Sequence, residues 1–284
     1  LFIKEYRPDI NGLRAVAVLL VLLYHLEYTL FQAGFLGVDV FLVISGYLIS
    51  RNILNDLEHN NFSFKKFYTK RIKRLFPALF FTIALSLLIS FFLLSPANLE
   101  RLGKSAISGI LSVSNIFLFN EKGYFDLESE FKPLLHLWSL SLEEQFYLIW
   151  PLLLLGIFKF FRKKIFLVIL VLIIISIYIN SIYLTSSPEA VFYLLPFRFF
   201  EFLLGTMCVW ISKYNFKNNI LLEFSLLLGL FLIIYSSIFF NKLTPMPGVL
   251  SLMPCTGAIL VIYAGQAKYS SWILKNKIFE LIGK

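Results

Sequence analysis

The side chains able to do chemistry in this chain are few and lie in apolar surroundings. Arg14 and His25 are eleven residues apart. On a helix that spacing leaves them about 20° off the same face and about 16 Å apart along the axis. One helical stripe then carries a guanidinium near one end and an imidazole roughly halfway across the membrane or beyond. Imidazole is the side chain best suited to move protons near neutral pH. The same spacing also fits a positive-inside anchor followed by a histidine bonded to a neighbouring helix.

Glu143 and Glu144 precede Gln145, Phe146 and Tyr147 inside an apolar run. Tyr147 is three and four residues beyond the two acids and shares a face with both. A helix dipole accounts for one acid near an N-terminus more easily than for two, so at least one is expected to orient or charge a catalytic partner. Arg71 and Arg74 are three apart before Leu75-Phe76-Pro77. They would present adjacent guanidinium forks, which suit phosphate groups and equally suit an anionic lipid surface. Asp39 and Ser45 lie in a span that also holds Gly37 and Gly46, small residues that permit close helix packing. Arg198 and Glu201, at i and i+3, are expected to neutralise each other as a structural pair. His136, before Trp138, is a further catalytic candidate, and His59 in a polar loop carries no functional expectation. Cys208 and Cys255 sit in separate apolar runs, which gives neither a disulfide framework nor metal-ligand spacing, so no metal is expected.

Those residues must be positioned by membrane helices. The 284 residues are 58% hydrophobic and 15% charged, with a mean hydropathy of +0.79, where soluble domains carry about 25% charged residues. A single water-soluble domain is excluded, and so is disorder, since aromatic residues make up 18% of the chain. A span needs roughly 20 apolar residues. Spans are expected at about Leu13 to Leu30, Phe35 to Leu54, Phe76 to Ser95, Ser139 to Phe158, Ile165 to Thr185, Val191 to Ile211, Ile220 to Phe240 and Gly248 to Gly265. The fold class is therefore an all-α polytopic transmembrane bundle of about 8–10 membrane helices.

Charge sets the orientation. The loop holding Arg51, Lys65, Lys66, Lys70, Arg71, Lys73 and Arg74 is placed in the cytoplasm by the positive-inside rule, and the N-terminus with it. Lys159, Arg162, Lys163 and Lys164 place the end of the Ser139 helix inside as well, followed by Lys213 and Lys217 inside, Lys242 outside, and Lys268, Lys275 and Lys277 inside. Of the 26 cations, about nineteen fall inside and about five outside, so the net +9 is mostly a topology signal and nucleic acid is not expected as a partner. With both flanking spans fixed, Ser105 to Phe119 is not a full crossing and is expected to be re-entrant or interfacial.

Five strings, in this order, resemble the acyltransferase-3 family of membrane O-acyltransferases, which includes bacterial O-antigen and peptidoglycan O-acetyltransferases. They are Tyr6-Arg7-Pro8-Asp9-Ile10-Asn11-Gly12-Leu13-Arg14 with His25, Gly37-Val38-Asp39-Val40-Phe41 through Ser45-Gly46-Tyr47, Arg71-Ile72-Lys73-Arg74-Leu75-Phe76-Pro77, Pro133 through Tyr147, and Pro196-Phe197-Arg198-Phe199-Phe200-Glu201. The resemblance covers nearly the whole chain and implies one membrane-embedded acyltransferase domain, 1–284, expected to be incomplete at both ends. It implies transfer of an acyl group, acetyl from cytosolic acetyl-CoA, to a hydroxyl of a cell-surface carbohydrate such as O-antigen, exopolysaccharide or peptidoglycan, in the bacterial inner membrane.

Under that resemblance Arg71 and Arg74 hold the acyl-CoA phosphates and Arg14 supports the donor. His25 is the general base or a transient acyl carrier, and Glu143 or Glu144 fixes its tautomer. The acceptor is a surface glycan or lipid-linked saccharide, and members that open this way often continue into an extracytoplasmic hydrolase-like domain. The alternative reading is a transporter or flippase for a small anion or lipid-linked sugar, using the same intramembrane charges as a pathway.

Overall fold

The structure is a computed structural model and describes residues 6–121, 132–212, 218–241 and 243–284. Its helices are α1 (Pro8–His25), α2 (Gly37–Glu58), α3 (Phe64–Leu93), α4 (Pro96–Ile110), α5 (Ser114–Glu121), α6 (Leu137–Phe161), α7 (Ile165–Tyr183), α8 (Pro188–Tyr193), α9 (Leu195–Ile211), α10 (Asn219–Phe239), α11 (Leu252–Ala264), α12 (Trp272–Lys275) and α13 (Lys277–Ile282). No strand occurs among the described residues. The all-α polytopic bundle expected from composition is what the chain forms.

Among the described residues, six stretches are long and apolar enough to cross a membrane by length and composition. One of them, Leu137–Tyr183, holds both α6 and α7, joined by the 3-10 turn Arg162–Lys164, and Val249–Ala264 is a shorter apolar helix. Seven of the eight expected spans thus fall mainly on one helix each, and the eighth, Val191 to Ile211, is divided at the extended Leu194 between α8 and α9. Lys213, Lys217 and Lys242 lie outside the described residues.

Two boundaries differ from expectation for local reasons. The first helix begins at Pro8, whose ring suits the first helical position, with Asp9 in the first turn. It ends at His25, ahead of Glu27 at φ 54°, so the helix lies about five residues earlier than its apolar run. α3 starts at Phe64, where Ser63 accepts a hydrogen bond from Lys66 N at 3.4 Å. The helix therefore takes in Arg71 and Arg74 rather than leaving them in a loop. The stretch Ser105 to Phe119 is split between α4 and α5, with Ser112 at φ 58° in the turn between them.

α2 is the central span, 83% buried over its apolar window, and α3 is peripheral, 17% buried. Phe80, Phe81, Phe91 and Phe92 of α3 face outward, as do Leu148 and Leu152 of α6 and Ile174 and Ile175 of α7, the pattern of lipid-facing helices. α2 packs closely on α9. A Cβ on Gly46 would stand 1.9 Å from the Phe202 carbonyl oxygen, and one on Gly205 1.9 Å from that of Val43. Beside that crossing, Trp150 Nε1 donates to Ser50 Oγ at 2.7 Å, and Ser50 Oγ lies 2.7 Å from Thr206 Oγ1. Phe146 stacks on Phe202 with centroids 4.2 Å apart.

Two charged clusters also pin the bundle. Arg198 does pair with Glu201, at 3.3 Å, and it additionally reaches Asp39 on α2 at 2.9 Å and the Phe192 carbonyl at 2.7 Å. All three ionisable side chains are 2% exposed or less. Asp39 therefore belongs to the α2–α9 contact. Arg7 donates to Asp9 at 2.6 Å and to the Ile262 carbonyl at 2.5 Å, tying the start of α1 to α11.

Candidate functional site

Four helices converge on a cavity of about 260 Å³ that Arg14 of α1, Ser45 of α2, Arg71 and Arg74 of α3, and Glu143 and Tyr147 of α6 line together. Ile282 at the end of α13, with Gly283 and Lys284 after it, lines it as well. Each side chain arrives by helical periodicity. Glu143 and Tyr147, four apart on α6, face the cavity together, and the Tyr147 hydroxyl donates to Glu143 Oε2 at 2.6 Å. The phenol oxygen is 3.2 Å from Ser45 Oγ. Arg14, Arg71 and Arg74 all act electrostatically on the Glu143–Tyr147 pair or on one another across the cavity. The Arg71 guanidinium lies 5.4 Å from the centroid of the Tyr147 ring and 5.6 Å from that of Phe67. Its buried Nε has no hydrogen-bond partner among the described residues.

A second cavity, of about 330 Å³, adjoins the first and shares Arg71, Leu75 and Tyr147 with it. Its walls are mostly apolar, with Ile72, Phe76, Val113 and Leu148 among them, and Glu144 stands in it. The Ser112 hydroxyl donates to Glu144 Oε2, while the buried Oε1 has no hydrogen-bond partner among the described residues. Gln145 continues the same contact, donating to the Ser112 carbonyl at 2.9 Å and to Asn115 Oδ1 at 2.8 Å. The acidic pair is thus divided. Glu143 serves the charged cavity, and Glu144 with Gln145 clamps the turn between α4 and α5.

His25 sits at the other end of α1, exposed, with its ring 5.2 Å from Tyr24. His136 immediately precedes α6, and its imidazole bonds the backbone of Pro133. Desolvation by neighbouring residues and then electrostatic repulsion between it and His25 hold the His136 imidazole below the usual histidine range. The two histidines therefore lie within electrostatic reach of each other. The candidates expected from sequence separate into two groups, the arginines with Ser45, Glu143 and Tyr147 at one level and His25 with His136 at another. Asp39 lies away from both, held by Arg198. The role of Ser112 had no signal in the sequence, because a serine in a turn is ordinary until its partner is known. Among the described residues no group of three or more His, Cys, Asp or Glu could hold a metal ion.

A family model described as an acyltransferase domain matches residues 7–284. The chain belongs to the acyltransferase-3 family. Acyltransferase-3 relatives include the peptidoglycan O-acetyltransferase OatA of Listeria monocytogenes, 37% identical over 221 residues that make up 75% of this chain and 35% of OatA. The putative peptidoglycan O-acetyltransferase YrhL of Bacillus subtilis is 36% identical over 227 residues, 76% of this chain and 35% of YrhL. An uncharacterized protein of Haemophilus influenzae is 34% identical over 241 residues, 79% of this chain and 96% of that protein. The chain spans about a third of the length of OatA and YrhL. No solved structure matches it. As an acyltransferase-3 protein, this chain is a multi-pass membrane protein.

Proposed function

We propose that the chain transfers an acyl group, acetyl from cytosolic acetyl-CoA, to a hydroxyl of a cell-envelope carbohydrate; the names of OatA and YrhL support O-acetyl transfer, to peptidoglycan in those relatives. The observation that supports it best is the cavity bringing Arg14, Arg71 and Arg74 together at one level of a bundle whose first helix carries His25 at the other. Three guanidinium groups are a set that phosphates fit, and the unpartnered Arg71 Nε is a donor in search of an acceptor. The adjoining apolar cavity suits the uncharged part of the donor.

In this reading the loop between α2 and α3 and the N-terminus are cytoplasmic, in the bacterial inner membrane, by the positive-inside distribution of Lys and Arg. Arg71, Arg74 and Arg14 bind the donor from the cytoplasm. Glu143 and Tyr147 hold those arginines in place, since a carboxylate hydrogen-bonded by a phenol is a fixed counter-charge. His25 takes the proton of the acceptor hydroxyl as its oxygen attacks the thioester carbonyl. The C–O bond forms, the C–S bond breaks, and coenzyme A leaves as the thiolate and is then protonated. The other form of this chemistry has His25 carry the acyl group before the acceptor arrives. Either form places the acceptor, a surface glycan or lipid-linked saccharide, on the outer side. Delivery to the final glycan can involve a fused or separate extracytoplasmic hydrolase-like domain.

His25→Ala tests the reading. It is expected to abolish O-acetylation of envelope glycans, measured as released acetate, with the protein's level in the membrane unchanged. Retained acetylation would remove His25 from the chemistry.

A further inference from the structure

A third cavity, of about 220 Å³, lies between α4, α5 and the segment leading into α6. Asn98, Arg101 and Ser105 line it from α4, Phe117 and Glu121 from α5, and Lys132 from beyond. Glu121 is held between two cations. Arg101 Nε donates to its Oε1 at 2.8 Å, and Lys132 Nζ is 3.7 Å from its Oε2. Glu121 and Lys132 are 19% and 10% exposed, so these charges are fixed in the wall. The lining combines donors and acceptors with the apolar Leu102, Phe117 and Leu118. Such an amphipathic wall matches a saccharide ring, which has hydroxyls around its rim and C–H groups on its faces. Drug-sized ligands occupy pockets of ~300 Å³ or more, so this one has room for a single ring rather than a chain.

The position of the cavity adds a second argument. Pro133 is part of its wall, and the imidazole of His136 is bonded to the Pro133 backbone and lies in the field of His25. A ring held here lies against Pro133, whose backbone is bonded by the imidazole that interacts with the histidine assigned to take the acceptor's proton. We infer that the cavity lined by Asn98, Arg101, Ser105, Phe117, Glu121 and Lys132 binds one sugar ring of the acceptor saccharide. This assignment rests on the acyl-transfer reading proposed above.

The test uses membranes carrying the full chain, radiolabelled acetyl-CoA and the cell-envelope saccharide fraction of the same cells. Ser105→Trp fills the cavity and is expected to raise the apparent KM for the saccharide at least tenfold, with acetyl-CoA binding unchanged. Asn98→Ala, on the first turns of α4, is the milder variant should the tryptophan disturb folding, and is expected to raise that KM severalfold. Unchanged KM in a folded variant, with the wild type active, would overturn the sugar site while leaving acyl transfer standing. A wild-type protein that labels no saccharide, where acetyl-CoA and acceptor are both present, would overturn acyl transfer and the site with it.

Discussion

Glu143 shows how a residue's role can follow from its partners more than from its type. Its carboxylate accepts the Tyr147 hydroxyl and faces the charges of Arg14 and Arg74. Glu143→Gln keeps the size and removes the counter-charge, leaving clustered guanidinium groups that repel one another. Weaker acetyl-CoA binding by tenfold or more is expected by direct titration, and Tyr147→Phe, which loses only the hydrogen bond, is expected to have a smaller effect in the same direction. The double substitution of Arg71 and Arg74 by Ala should weaken that binding further, and unchanged affinity would return both to an anchoring role at the lipid surface. His136 gives a prediction of opposite sense in pH. Its folded-state pKa lies below the ordinary 6.5 because desolvation by neighbouring residues and then His25 disfavour the imidazolium, even though the residue is in part exposed. Above 6.5 the imidazole is neutral in both states and contributes nothing. As pH falls below 6.5 the unfolded chain takes up the proton first, so the folded state loses stability. Melting temperature in detergent should fall as the pH drops below about 6.5, and the fall should be shallower in His136→Asn. The types of Arg14, Arg71, Arg74, Glu143 and Tyr147 and the spacing within each helix were legible in the sequence, since periodicity along a single helix relates Arg71 to Arg74 and Glu143 to Tyr147. Their grouping was not, because the partner of Glu143 depends on the relative heights of α1, α3 and α6.

At the scale of elements, the α2–α9 crossing carries the greatest constraint. Gly46 and Gly205 each face a backbone carbonyl of the other helix, with no space for a methyl group. In a membrane the association of helices depends on such close approach and on interhelical hydrogen bonds of about 0.6 kcal/mol each. Gly46→Ala is expected to destabilise the bundle by about 1–3 kcal/mol, the usual range for overpacking, measurable as a lower melting temperature in detergent. Loss of acyl transfer in that variant with unchanged melting would contradict this reading. The sequence made part of this contact visible, since Gly37 and Gly46 suggested close packing of the second span. The i, i+3 rule also found Arg198 with Glu201. It could not find Asp39, 159 residues away, because a third partner reached across helices leaves no periodic trace. The same holds for the hairpin of α4 and α5. An apolar stretch too short to span was readable, but its break at Ser112 and the clamp from Glu144 and Gln145 come from tertiary contact.

Taken whole, the molecule sets two groups of ionisable side chains at two levels of one bundle. The arginine cavity and the histidine pair are separated along α1 by eleven residues, about 16 Å, less than the ~30 Å of a bilayer core. A donor held by charge on one side can therefore meet an acceptor from the other with neither crossing completely. That arrangement requires the arginine cavity to be reached from the cytoplasm and α4 from outside, which is a statement about sidedness. The two native cysteines are fully buried, so single introduced cysteines can report it against little background. Lys66→Cys, near the start of α3, is expected to react with a membrane-impermeant maleimide only after the inner membrane is opened. Asn98→Cys, at the start of α4, is expected to react in intact spheroplasts, and acetyl-CoA should leave that reaction unchanged. The reverse pattern would put the arginine cavity on the outer side, where cytosolic acetyl-CoA is absent, and the proposed direction of transfer would have to be abandoned even with His25 and the cavities where they are.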